Sequence, residues 1–496
     1  MKIKRIDLGG KLMEKIYDVV IIGAGVTGAM LAHKLAKYKL DTAVVEAGCD
    51  VASGASRANS AIVHAGFDAA CGTLKAALNV RGCAELPELA KQLDVPYKNN
   101  TSLVVGFSED DKSALGELLE RGRRNGVPKL EIIDGKRLRE LEPNISPEAT
   151  CALLAPTAGI ICPYDLTMAA AENACINGTD FFFDFNVTSV RKEGDTVKVC
   201  SDDRIITARF AANCAGSFSD EIARLADPAF PIRIIPRRGE YMVLDKSEGT
   251  RVSATIFTVP GKAGKGILVS PTVDGNLLVG PNAHEVKEKD DTSTTAFGLD
   301  EISEGARQLV PSVNLRSVIT SFSGVRPTPD SGDFHIEPSA VLPNLLNLVG
   351  IESPGLASSP AVADYAVEKL EQMGLKLEAR EDYNPYRTEN GHMRKPFREL
   401  SSEEKAELCK KEPAYARIIC RCETITEGDI LAAIRRPLGA KTVDMVKMRT
   451  RAGMGRCQGG FCSPRVVELL AAELGVSVEE IKKRDRGSDI LMGKTK

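Results

Sequence analysis

The sequence has no tryptophan and only five histidines, and aromatic residues make up just 5% of its 496 positions. No apolar run approaches the ~20 residues a membrane-spanning helix needs, and the start lacks the charged, apolar and small-residue segments of a secretory signal. A net charge of −3 gives no basic excess for nucleic acid. Together these absences predict a soluble, cytoplasmic protein with no transmembrane segment and no nucleic-acid partner. The length exceeds what one hydrophobic core serves, so two or three domains are expected. Thirteen cysteines are present, nine of them scattered singly, and these nine read as reduced core residues. The opening MKIKRIDLGGKL does not read as the start of a fold. The true start is expected at Met13, with the codons of Gly9 and Gly10 serving as a ribosome-binding sequence.

Fold signals begin with YDVVIIGAGVTGAMLAHKLAKYKLDTAVVEAG. An apolar strand, a glycine turn, an amphipathic helix and a second strand ending in an acid form the opening unit of a dinucleotide-binding fold. Gly23 permits the turn, Gly25 lets the backbone approach a pyrophosphate, Gly28 lets the helix pack, and Glu46 is placed for a ribose hydroxyl. The small-residue loop that follows, ASGASRANSAIVHAGFD, is suited to lie along a bound cofactor through Ser56, Asn59 and Ser60. Two later strand–turn–helix elements repeat the design, one around Ala215 and Gly216, the other around Gly350, Gly355 and Leu356. Three such elements far apart in sequence suit one long ligand, and FAD fits better than NAD. The turn at Gly355 would aim a helix N-terminus at negative charge on the reduced flavin. Between the second and third elements lie short β-branched segments, with Asp274-Gly275 as a hairpin signal. They predict an antiparallel sheet that covers the flavin and carries the substrate site.

After about residue 375 the chain turns polar, and 376–413 reads as a linker or strap. Capping boxes at Ser401/Glu404 and Ser477/Glu480, Pro464 at a helix start and Gly475 at a helix end predict a small helical module. It holds the four remaining cysteines: Cys420 and Cys422, then two predicted helices, then Cys457 and Cys462. Zinc sites favour C-x-x-C knuckles, whereas an iron–sulfur cluster spreads its ligands over separate irons. An iron–sulfur cluster is therefore the first reading and zinc the second. Gly453, Gly455, Gly459 and Gly460 would wrap the backbone so that N–H groups point at the sulfurs.

IICRCETITEGDI with RTRAGMGRCQGGFCSPR resembles the [2Fe-2S]-binding domain of the bacterioferritin-associated-ferredoxin type. That resemblance makes Cys420, Cys422, Cys457 and Cys462 the cluster ligands. The upstream part resembles the FAD-dependent oxidoreductase superfamily that includes D-amino-acid oxidase and glycerol-3-phosphate dehydrogenase. NSAIVHAGFD, PRRGEYMVLD, SFSGVRP with its Gly324, and VGIESPGLASSPA look most like the large subunit of anaerobic glycerol-3-phosphate dehydrogenase and the L-2-hydroxyglutarate oxidases. The expected fold is α/β: a Rossmann-like FAD-binding domain with an antiparallel-sheet substrate domain over 13–375, and a helical [2Fe-2S] domain over 414–485. FAD-binding segments are expected near 16–95, 150–235 and 320–375, and substrate-domain segments near 96–149 and 236–319.

Oxidising a secondary alcohol requires a base for the O–H proton and a cation for the substrate's acid group. Arg326 is the cation expected to face the flavin and His64 the base, with Arg238 and Tyr241 as further substrate contacts. His284 and His335 read as structural. A flavin takes two electrons while a cluster passes them singly, so the pairing implies a dehydrogenase acting on a small anionic hydroxy substrate. Electrons would leave to a second flavoprotein or another electron-transfer subunit. The resemblance favours sn-glycerol 3-phosphate. Where glycerol-3-phosphate enzymes carry an arginine-rich pattern this chain has FDAACGTLK, which keeps L-2-hydroxyglutarate or another 2-hydroxyacid as the second reading. Amine or imino-acid oxidation is a third, and a cluster used for docking or assembly is the reading from outside enzymology.

Overall fold

The computed structural model describes residues 15–260 and 266–493. The expected start at Met13 and the Gly9-Gly10 pair lie outside the described residues. Among the described residues no helix is long and apolar enough to cross a membrane.

An eight-stranded sheet is built around Ile16–Ile22, which pairs in parallel with Thr42–Val45 on one side and Ile205–Asn213 on the other. Leu345–Val349 joins Ile205–Asn213, also in parallel. Three strands remote in sequence thus lie side by side and end at the same edge. Each leads into a helix: Val26–Leu35, Ser219–Ala226 and Gly355–Gln372. The strands are buried on both faces, as parallel strands covered by helices must be, and so read as unbroken apolar runs. Gly23 has φ +103°, and a Cβ on Gly28 would lie 2.0 Å from the Gly23 carbonyl oxygen, so the first turn closes only with glycine at both places.

A nine-stranded, largely antiparallel sheet stands against the first. Its long pair, Ile234–Leu244 and Val318–Pro329, runs antiparallel with Arg237 opposite Arg326. The Asp274-Gly275 turn joins Leu268–Pro271 to Leu277–Gly280 as a hairpin. The C-terminal region packs Glu427–Arg435, Val443–Thr450 and Ser463–Leu474 around a small core and a two-stranded sheet bearing Cys420. Both capping boxes form, although Ser477 starts only a single 3-10 turn. Gly475 ends the last helix in the left-handed conformation.

The segment 376–413 is tied down along its length. Asn173 donates to the Asn384 and Tyr386 carbonyls, and the Arg387 side chain, 2% exposed, pairs with Asp165 and Glu172. Burial pushes the Glu172 carboxyl up, but the Arg387 and Arg436 guanidiniums outweigh it and hold it below its usual range. Arg436 comes from the C-terminal region, so one acid joins three parts of the chain. Arg449, fully buried, makes a bidentate pair with Asp50 at 2.7 Å. Arg449→Met would leave the Asp50 carboxylate buried and unpaired. It is expected to cost about 3–5 kcal/mol in urea denaturation, and the double variant with Asp50→Leu to cost less than Arg449→Met alone.

Candidate functional site

A continuous cavity of about 1720 Å³ runs along the C-terminal edge of the parallel sheet and under the antiparallel one. Its volume suits a dinucleotide together with a small substrate. At one end Gly23 and Gly25 border it, and Ser56 Oγ accepts the Val26 N–H at 2.8 Å, fixing the small-residue loop over the first helix turn. Glu46 also lines the cavity. Its carboxylate accepts the N–H groups of Ala24 at 2.7 Å and Gly48 at 2.8 Å. Asn59, Ser60, Ala215, Gly216, Gly324, Gly355 and Leu356 continue the wall. Gly28 lies beneath the turn, and Gly350, at φ +74° against Pro329, shapes the exit of its strand; neither borders the cavity.

His64, Tyr241 and Arg326 each border the same cavity. The His64 ring lies 5.9 Å from that of Phe257, Tyr241 stacks on Phe322 at 4.7 Å, and the Tyr241 hydroxyl is 3.3 Å from Ser60 Oγ. Arg326 donates to the Asn282 carbonyl at 3.2 Å. A Cβ on Gly239 would approach the Arg326 guanidinium to 2.8 Å, so the glycine in RRGEY makes room for it.

Arg238 is not brought to this place. It is buried on the opposite face of its strand, where Asp291 at 2.5 Å and Ser293 at 2.7 Å hold it. Arg237 lines the cavity instead, directly across from Arg326. Strand alternation carried the signal: Tyr241 and Arg237 share a face that Arg238 cannot reach. His284 pairs with Glu301 at 2.6 Å, and His335 packs on Phe230.

The C-terminal region closes one side of the cavity through Lys447, Met448, Arg451, Met454 and Gln458. Cysteine spacing gave no sign of these residues, because their role depends on how two domains dock. Arg451, at φ +73°, reaches Asp274 at 2.7 Å and Glu423 at 2.8 Å.

The four cysteines gather in two pairs. Cys422 and Cys457 have their sulfurs 3.8 Å apart, and Cys420 is hydrogen-bonded to Cys462. Among the described residues no group of three or more His, Cys, Asp or Glu side chains converges on a single-ion site. Two thiol pairs suit two irons better than one tetrahedral zinc. The Cys462 thiol, with backbone N–H groups of Gly453 and Glu423, brings the Cys420 thiol down to about 6. The N–H groups of Phe461 and Gly459 lower Cys457. These are the amides that would hold thiolate ligands. A Cβ on Gly455 would sit 2.2 Å from Cys422 Cβ, so this loop closes only around glycine.

Residues 18–369 match the family described as FAD dependent oxidoreductase, and 418–472 match the BFD-like [2Fe-2S] binding domain. The chain is 46% identical to a glycerol 3-phosphate dehydrogenase of Caloramator mitchellensis, over 97% of this chain and 99% of that one. An L-2-hydroxyglutarate dehydrogenase of Nematostella vectensis is 26% identical over 71% of this chain and 90% of its own. Among solved structures, the dithionite-reduced L-alpha-glycerophosphate oxidase of Mycoplasma pneumoniae with FAD bound is 30% identical with a TM-score of 0.71. It matches 75% of this chain and 98% of its own. Cys462→Ala, which removes one of the four thiols, is expected to abolish cluster absorbance and bound iron while the flavin spectrum persists.

Proposed function

Because the chain belongs to the FAD-dependent oxidoreductase family, we propose that it oxidises sn-glycerol 3-phosphate to dihydroxyacetone phosphate and passes the electrons through its cluster to a partner redox protein. It is a glycerol-3-phosphate dehydrogenase-like enzyme of the class acting on CH–OH donors, and its cofactors are FAD and a [2Fe-2S] cluster. The observation that carries the electron route is the Cys457 loop: Met454 and Gln458, on either side of that cysteine, form part of the cofactor cavity's own wall. The glycerophosphate oxidase is matched almost whole by 75% of this chain, and the cluster region is not needed to cover it. A chain that carries the extra region has an exit for electrons other than oxygen.

When bound, FAD accepts a hydride and the cluster carries single electrons onward. His64 takes the alcohol proton, and Tyr241 borders the substrate. Arg326 and Arg237 hold the phosphate. Two guanidiniums directly opposite on neighbouring strands repel each other unless an anion lies between them. A single dianionic group answers both charges, which favours phosphate over a lone carboxylate. The segment FDAACGTLK keeps a 2-hydroxyacid as the second reading, and Arg326 would then clamp a carboxylate.

Anaerobic titration with sn-glycerol 3-phosphate is expected to bleach the flavin's visible band and then produce the EPR signal of a reduced cluster. Bleaching by L-2-hydroxyglutarate alone would move the substrate to the second reading. A bleached flavin beside a cluster that stays oxidised would leave the cluster a docking or assembly role. Arg237→Ala and Arg326→Ala are each expected to raise KM for the phosphate ester by about 10- to 100-fold, as for a lost hydrogen bond to a charged group.

A further inference from the structure

Two cations on opposite sides of the domain seam face the cavity. Lys447 lies on the helix Val443–Thr450, and Arg57 follows Ser56 in the loop over the first glycine turn. Among the described residues neither side chain makes a hydrogen bond or ion pair. Nearby acids are already engaged: Asp50 by Arg449 at 2.7 Å, Asp444 by Lys483 at 2.9 Å and Asp485 by Arg484 at 3.0 Å. Burial lowers both cations; Asp444 opposes this at Lys447, but Lys483 and Arg57 lower it again, and at Arg57 the charge of Arg484 adds to burial. Half-buried like charges without a direct partner are costly, and the acids that act on them from nearby, Asp444 on both and Asp485 and Asp50 on Arg57, are each held by another cation.

The missing counter-charge has a natural source. A dinucleotide's diphosphate lies at the N-terminus of the first helix, against the glycine turn. Ser56 is fixed at that turn by its bond from Val26, so Arg57 is the next residue along. We propose that Lys447 and Arg57 close on the diphosphate of FAD, so that the cluster-bearing region supplies part of the flavin's binding site. Occupancy of the site then neutralises the repulsion across the seam. Flavin binding and docking of the cluster region favour each other.

The experiment follows release of FAD from substrate-free, full-length protein by the fluorescence of free flavin, at increasing KCl. Lys447→Gln and Arg57→Gln are each expected to raise the Kd for FAD about tenfold, the effect of one charge-assisted hydrogen bond. Each should also flatten its dependence on KCl, while Lys447→Arg keeps the parent behaviour. A Kd within twofold of the parent for both glutamine variants overturns the proposal. So does an unchanged Kd with a raised KM for sn-glycerol 3-phosphate, which would give the two cations to the substrate's phosphate. If the glutamine variants do not fold, the unaltered protein decides: FAD release that is insensitive to KCl overturns the proposal.

Discussion

The buried pair between Asp50 and Arg449 fixes where the cluster can be. Asp50 stands four residues after Glu46, at the cavity's nucleotide end, and Arg449 ends the helix that leads into the Cys457 loop. Two charges taken out of water gain little net stability, but breaking such a pair is costly, so its geometry is held. Arg387 and Arg436 on Glu172, and Arg451 on Asp274, repeat the arrangement at other points of the same seam. The Arg456–Asp245 pair also crosses it at 2.7 Å, but the arginine is 72% exposed and water screens it. A hydrophobic seam would permit sliding. Directional pairs at several points do not, and electron transfer depends steeply on distance.

That fixed seam lets two parts of the chain wall one cavity. The antiparallel sheet carries Tyr241 and the opposed arginines to the cavity, and His64, which follows the strand Ile62–Val63 of another sheet, borders it as well. The C-terminal region walls another side with Met454 and Gln458, beside a cluster ligand. Two separate parts of the chain thus line different sides of one cavity.

Much of this was legible in the sequence because it rests on local rules. Gly23 and Gly28 announce a turn that no other residue closes, the three apolar runs announce buried parallel strands, and Pro464 and Gly475 announce the ends of a helix. The cysteine spacing pointed to two irons, and the thiols do stand in two pairs. The substrate end was legible only in part. Choosing Arg238 beside Tyr241 overlooked the period of two along a strand, which puts them on opposite faces; Arg237 satisfies it. Lys447 and Arg451 left no trace, since their positions follow from docking between segments hundreds of residues apart. No local pattern encodes that.

The wall formed by residues 447–458 and by Arg484 and Asp485 has a consequence for the order of assembly. The glycine turns that grip a dinucleotide are all complete by Gly355, yet the cavity stays open along one side until the last stretch of chain has folded onto it. During synthesis the flavin-binding half exists for a time as an open cradle, reachable by its cofactor. Folding of the cysteine-bearing region onto the sheet is the event that shuts it. Closure of the cofactor cavity thereby waits on residues at the far end of the chain.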